Sequence, residues 1–205
     1  EQMGLPVDRL TVATNVNDIL ARPIATGHYE PRDVVATSSP SMDIQVSSNF
    51  ERLLFDAYDR DAGAVRGLMN SLTQSPRFSI AAPALARIRD GFTAGRASED
   101  ETAATIRALR RETGYVAEPH TAVALAVAEK EPRDAATPMV VLSTAHPAKF
   151  PDAVEAACGV RPGLPDWLSS LNAAQENMTV LPADQAAVEK FVTGAARAAR
   201  EGAAA

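Results

Sequence analysis

The chain has 205 residues and a mass of 21.6 kDa, enough to bury a sizeable core as one large domain or two small ones. A formal net charge of −6 and a pI near 5.1, with Arg110-Arg111 as the densest basic pair, argue against nucleic acid or an anionic membrane as the main partner. At 46% hydrophobic and 22% charged, with a mean hydropathy of −0.11, the composition is that of a globular protein and holds no apolar run long enough to span a membrane.

From the start, Glu1 to Pro6 reads as the tail of a helix, with Gly4 as its C-cap and Pro6 just beyond. That pattern suggests a chain cut from something longer. Arg9 to Asn15 predicts a buried strand, and Asn17 and Asp18 are expected to cap a short helix that Gly27 ends. Val34 to Thr37 is a second strand candidate. Ser48 with Glu51 has the spacing of a capping box for a helix whose Phe50, Leu53, Leu54 and Tyr58 share a face. Asp61 to Gly91 predicts helix with a break at Ser75-Pro76, and Phe92 to Ala94 an edge strand. Ser98 with Glu101 makes another capping box, for a helix ending at Gly114. Pro119 suits the first turn of the next helix.

Met139 to Leu142 then predicts a short buried strand introduced by Pro138. Pro151 opens a helix ending at Cys158-Gly159, and a last helix from Pro182-Ala183-Asp184 carries the apolar stripe Val188, Phe191, Val192, Ala195 and Ala199. Glu201 to Ala205 is expected to fray. Strands alternating with helices give an α/β fold, helix-rich overall, with a sheet flanked by helices. Cys158 is the single cysteine, read as a small core residue; it permits no internal disulfide and fits a reducing, cytoplasmic compartment. The cysteine count and the spacing of the three histidines offer no metal-ligand motif.

Three polar strings are hard to explain as scaffold. The first, Ser143-Thr144-Ala145-His146-Pro147-Ala148-Lys149-Phe150, directly follows the apolar run at Met139, at what should be the carboxyl edge of a sheet, where α/β folds bind ligands. There the Thr144 hydroxyl is the leading candidate to face a ligand, against the commoner fate of a threonine as a loop cap. His146 and Lys149 offer positive charge or hydrogen bonds, although an exposed lysine is more often simply solvated. The second string, Ser39 to Phe50, crowds Ser41, Asp43, Ser47 and Asn49 ahead of a helix N-terminus, a natural anion site. The third, Glu118-Pro119-His120-Thr121-Ala122, offers Glu118 and His120 as residues that orient neighbouring segments. Asn15 and Asn17 follow the first strand, where capping is the plain alternative.

These strings, with Ala13-Thr14-Asn15-Val16-Asn17-Asp18, resemble the carboxyl-terminal part of threonine synthase of the long bacterial and fungal type. The resemblance runs from Met3 to the helix after Asp184 and is least specific over Asp61 to Asp90. It implies the tryptophan synthase β-like fold of fold type II pyridoxal phosphate enzymes. In that arrangement residues 1–60 and 116–205 belong to the α/β cofactor domain and 61–115 form a helix-rich insertion. It also implies conversion of O-phospho-L-homoserine and water to L-threonine and phosphate, in the cytoplasm. Thr144 would meet the cofactor's pyridine nitrogen. Asn15, Asn17, Ser41, Asp43, Asn49, His146 and Lys149 would contact substrate, with Glu118 and His120 behind them.

The only lysines are Lys130, Lys149 and Lys190, none in the family's cofactor-lysine motif. The Schiff-base lysine and the phosphate-cradling loop are therefore expected upstream of Glu1, in an amino-terminal half that would be this chain's partner. The chain alone is expected to be inactive. Two alternatives stand beside this reading: a non-catalytic binding module that kept the fold, and another fold type II lyase.

Overall fold

The computed structural model describes residues 3–132 and 134–197. The path runs β1 (Leu10–Thr14), α1 (Ala21–Thr26), β2 (His28–Tyr29), α2 (Phe50–Ala57), α3 (Ala62–Gln74), β3 (Phe78–Ser79), α4 (Ala82–Gly91), β4 (Phe92–Arg96), α5 (Glu99–Thr113), α6 (Pro119–Lys130), α7 (Pro151–Cys158) and α8 (Gln185–Ala195), with short 3-10 turns between them. It is a helix-rich α/β fold in two compact units, Glu1–Gly163 and Leu164–Ala205.

In the first unit β1 and β4 pair in parallel, Leu10 opposite Phe92 and Thr14 opposite Arg96. The intervening residues make the long crossover that a parallel pair requires. Side chains alternate across the pair. Val12, Phe92 and Ala94 pack with Ile19, Ile24, Leu54, Ile80 and Ile88 on one face, while Ala13 meets Ala97, Val123, Ala126 and Val127 on the other. On that second face Gly95 lets α6 approach closely, for a Cβ there would stand 2.7 Å from Val127 Cγ1. The first core includes a stack in which Tyr29 lies between Phe50 and Phe78, with ring centroids 5.5 and 4.8 Å away. Helices α3 and α4 contribute Val65, Ala84 and Ile88 to the same core, so these two helices pack with the segment before them. A third cluster joins α5, α6 and α7 through Ile106, Ala122 and Ala157, with Cys158 against it.

Several helix ends follow the local chemistry. Ser98 and Glu101 form the full capping box of α5, and Gly114 and Gly159 take the left-handed conformation that ends α5 and α7. Gly27 does the same after α1. Pro119 occupies the first turn of α6 behind the N-cap Glu118. Gly4 is also left-handed, but the start of the helix it was expected to close lies outside the described residues. So do Ala199 and the Glu201 to Ala205 tail.

Four expectations are corrected. Ser48 does not cap α2: its carbonyl, not its hydroxyl, receives the Glu51 N–H, and Asn49 stands at the N-cap. Asn49 has helical φ and ψ of −68° and −23°, so the turn is already wound where a capping side chain needs extended backbone. Neither Asn17 nor Asp18 caps α1 with its side chain, because the helix begins later, at Ala21. Val34 to Thr37 pairs with no strand among the described residues: Val35 instead donates its N–H to Asn17 Oδ1 and accepts from Asn17 Nδ2, both at 2.8 Å. One side-chain amide thus replaces a strand neighbour.

Met139 to Leu142 also forms no strand. It lacks a ladder partner among the described residues, and Val140 and Leu142 are 77% and 75% exposed. A lone extended segment has no ladder to satisfy its backbone, so water does.

In the second unit, α8 is capped by Asp184, which accepts from the Ala187 N–H at 2.8 Å. Its stripe of Val188, Phe191 and Val192 is exposed, as is Trp167.

Candidate functional site

Two polar networks tie the three strings together. The first begins where β1 ends. Asn15 is fully buried and donates from Nδ2 to Asp43 Oδ1 at 2.7 Å, Thr37 Oγ1 at 2.8 Å and Ser39 Oγ at 3.0 Å. Its Oδ1 accepts from the Asn17 backbone N–H at 2.8 Å. Asn17 also reaches Asp43 Oδ1, at 3.0 Å. Asp43 further receives the Thr37 hydroxyl at 2.7 Å and the Thr37 N–H at 2.8 Å. The result is a loop over residues 35–43 fastened to the end of β1, with every buried side-chain polar atom among the described residues satisfied. Asn15, Asn17 and Asp43 thereby hold the loop, and Ser41 stands exposed at its crest.

The second network is built on Glu118, which is 1% exposed. As N-cap of α6 it accepts the backbone N–H groups of His120 at 2.8 Å and Thr121 at 2.6 Å. Its carboxylate also takes the Thr121 hydroxyl and His120 Nδ1, each at 2.6 Å. Burial pushes this carboxyl upward, but the hydrogen bonds from the Thr121 hydroxyl, the His120 ring and the two backbone groups outweigh it and hold the group below the ordinary glutamate value. The positive end of the α6 dipole acts in the same sense.

His120 Nε2 accepts the Ser41 N–H at 3.1 Å, which fixes the neutral tautomer with its proton on Nδ1, facing Glu118. Thr121 Oγ1, its proton directed to Glu118, accepts the Thr144 N–H at 3.4 Å and lies 3.5 Å from Ser143 Oγ. Tyr115 braces the same turn from its hydroxyl, 3.2 Å from Ser143 Oγ. The Ser41 loop and the Ser143-Thr144 turn therefore meet at the N-terminus of α6, each joined to one buried carboxylate.

Thr144 is exposed, and its hydroxyl makes no hydrogen bond within the described residues. His146 lies on the same loop, where Nδ1 accepts the Ala148 N–H at 3.2 Å, leaving Nε2 to carry the proton outward. Lys149 Nζ stands 5.6 Å from the centroid of Phe150, whose ring packs 4.7 Å from that of His120. Asn49 is more remote: it bonds Arg52, and no side-chain hydrogen bond joins it to either network. Thr37, Ser39, Thr121 and Tyr115 were not singled out by sequence reasoning. Thr121 had the clearest signal, since a hydroxyl three residues after an acidic N-cap is placed to reach back to it.

No group of His, Cys, Asp or Glu among the described residues is arranged to hold a metal ion, and no helix among them is long and apolar enough to cross a membrane.

Residues 121–192 match the family model described as the threonine synthase carboxyl-terminal region. Threonine synthase of Pseudomonas aeruginosa is 43% identical over 93% of this chain and 41% of its own length, and that of Corynebacterium glutamicum is 40% identical over 95% and 42%. Among solved structures, PLP-bound threonine synthase from Brucella melitensis superposes with a TM-score of 0.84 at 55% identity, over 96% of this chain and 42% of the other. The yeast enzyme gives 0.79 at 33%, over 93% and 42%. The chain thus spans about two fifths of the length of the relatives it matches. By sequence and by fold, it belongs to the threonine synthase family and carries that family's carboxyl-terminal region.

Proposed function

We propose that this chain serves a threonine synthase reaction, in which O-phospho-L-homoserine and water give L-threonine and phosphate with pyridoxal phosphate as cofactor. The observation that carries the reading is the junction at the α6 N-terminus, where the Ser41 loop and the Ser143-Thr144 turn are linked through His120 and Thr121 to one carboxylate. The residues present suit the cofactor. Thr144 offers an exposed hydroxyl without a hydrogen-bond partner among the described residues, on a turn that itself carries no carboxylate. A neutral donor leaves a pyridine nitrogen largely unprotonated, whereas a carboxylate would hold a proton there.

Pyridoxal phosphate, when bound, supplies the electron-withdrawing ring that acidifies protons on the substrate's carbons. Thr144 orients that ring through its nitrogen. His146 Nε2, the Lys149 ammonium and the Ser41 hydroxyl are the exposed donors for the anionic substrate, and a leaving phosphate needs such donors. Asn49 takes an outlying substrate contact. Asn15, Asn17 and Asp43 keep Ser41 in place, while Glu118 and His120 keep the two loops in register.

Lys130 does not carry the cofactor. Its ammonium is held at 2.5 Å by Glu101, at the end of α6 opposite Glu118 and, at 1.5 Å per residue, about 18 Å away. In this reading the cofactor lysine and the phosphate-cradling loop come from the portion of the family's length that this chain does not span.

A chimera tests the proposal. The matching segment of the Brucella melitensis enzyme is replaced by this chain, and phosphate release from O-phospho-L-homoserine is followed. Activity within about tenfold of the parent is expected, with a loss of about 10²-fold or more on Thr144→Val. A folded, cofactor-loaded chimera without activity, or full activity with Thr144→Val, would overturn it.

A further inference from the structure

The Thr144 hydroxyl can serve a ligand only if its turn is held still, and that turn belongs to no helix or strand. Its backbone is fixed by Thr121 Oγ1, which accepts the Thr144 N–H and donates its own hydrogen bond to Glu118. We infer that Thr121 is a positioning residue for Thr144, and that the pair Glu118–Thr121 ties the Thr144 turn to the Ser41 loop, so that the two ligand-facing segments are set relative to each other by one buried carboxylate.

Geometry supports a dedicated role. Thr121 is buried, on the rigid first turn of α6. A threonine in a helix commonly turns its hydroxyl to a carbonyl of the preceding turn. This one instead lies 2.6 Å from the Glu118 carboxylate, a charge-assisted bond that fixes the direction of the proton and leaves the lone pairs facing Thr144 and Ser143. Valine has nearly the same shape and would fill the same space, but offers no acceptor.

On the other side, His120 performs the matching service for Ser41 through its Nε2. Because His120 and Thr121 bond different oxygens of Glu118, both loops are referred to one group, and a displacement of that group is shared by both. The inference rests on the reading of Thr144 given above for its function, but not for the tether itself.

Amide hydrogen exchange by NMR on the full chain, with no cofactor added, tests the tether directly. Thr121→Val is expected to speed exchange of the Thr144 amide by roughly threefold to tenfold, the worth of one modest hydrogen bond, while the amides of Ile106 and Val123 keep their protection. Thr121→Ser, which keeps the hydroxyl, should restore the slow rate. Glu118→Ala, which removes both acceptor oxygens, should speed Thr144 and Ser41 together.

An unchanged Thr144 rate in Thr121→Val, or no rescue by serine, refutes the tether. A Glu118→Ala response confined to one of the two amides refutes the coupling; should that variant unfold, His120→Leu is expected to speed Ser41, and an unchanged Ser41 rate there refutes it. In the chimera, Thr121→Val should raise the dissociation constant for pyridoxal phosphate and Thr121→Ser restore it. Failure there with an intact amide result would count against Thr144 as a cofactor residue and leave the tether standing.

Discussion

Replacing Glu118 by glutamine removes one charge and little volume, yet it should be among the most damaging conservative changes in the chain. The carboxylate accepts four hydrogen bonds, two per oxygen, from His120 and Thr121. Glutamine has one acceptor oxygen, and its amide nitrogen must face one of the two donor pairs. Facing Thr121, it leaves the Thr121 N–H without a partner. Facing His120, it forces the ring into its other tautomer, and a proton on Nε2 then confronts the Ser41 N–H.

Either way one or two charge-assisted bonds are lost at about 1.5–3 kcal/mol each, offset in part because a neutral amide is cheaper to bury. A net loss of about 2–4 kcal/mol follows. With an m-value of about 2 kcal/mol/M, the urea midpoint followed by circular dichroism should fall by roughly 1–2 M. The sign with pH is also fixed. A carboxyl held below its ordinary value in the folded state contributes stability that is complete above about pH 4.3 and fades as pH falls through its folded value. The stability gap between wild type and variant should therefore narrow on acidification. A midpoint shift under 0.3 M at pH 7, or a gap that widens toward acid, would refute this account of the Glu118 site.

Gly95→Ala should destabilise by about 1–3 kcal/mol in urea unfolding, because the new Cβ lies 2.7 Å from a buried, single-rotamer valine. Adding Val127→Ala should then cost about 1 kcal/mol less than it does in the wild type, and strict additivity would contradict the close approach. Ser98→Ala should lose about 1 kcal/mol with the α5 capping box, measured by the same transition. Asn17→Leu should speed exchange of the Val35 amide and cost about 2 kcal/mol, as it removes the clamp on Val35 and a bond to Asp43; an unaltered Val35 amide would show that the loop holds itself.

The parts legible from sequence were those decided within a few residues. Ser98, Gly114, Pro119, Pro151 and Gly159 act on their own turn of helix, and each stands where local chemistry puts it. The capping box fails at Ser48 and succeeds at Ser98 because the backbone differs. Ser98 is extended, with φ and ψ of −80° and 169°, whereas Ser48 leads into an Asn49 already wound as helix. A four-residue spacing cannot record that difference. Strand pairing was less legible still. Val34 to Thr37 has strand composition, but its pairing group is the side chain of Asn17, eighteen residues from Val35.

The candidate strings stood out because many polar groups in a row are hard to explain as scaffold, but their division of labour was not visible. The resemblance implies Asn15 and Asn17 as substrate contacts, and in the structure both amides are engaged by the loop at Asp43. Thr144 was expected to be held by the end of a buried strand; here the preceding segment is exposed and has no ladder partner among the described residues, and Thr121 and Tyr115 hold its turn instead. A candidate ligand group on an irregular turn must borrow its rigidity from something packed, and the nearest packed element is the first turn of α6. The order of the turn is then set by Glu118, a residue whose side chain is closed to solvent. For that reason substitutions at Glu118 and Thr121 should disturb this site more than changes among the exposed donors Ser41, His146 and Lys149.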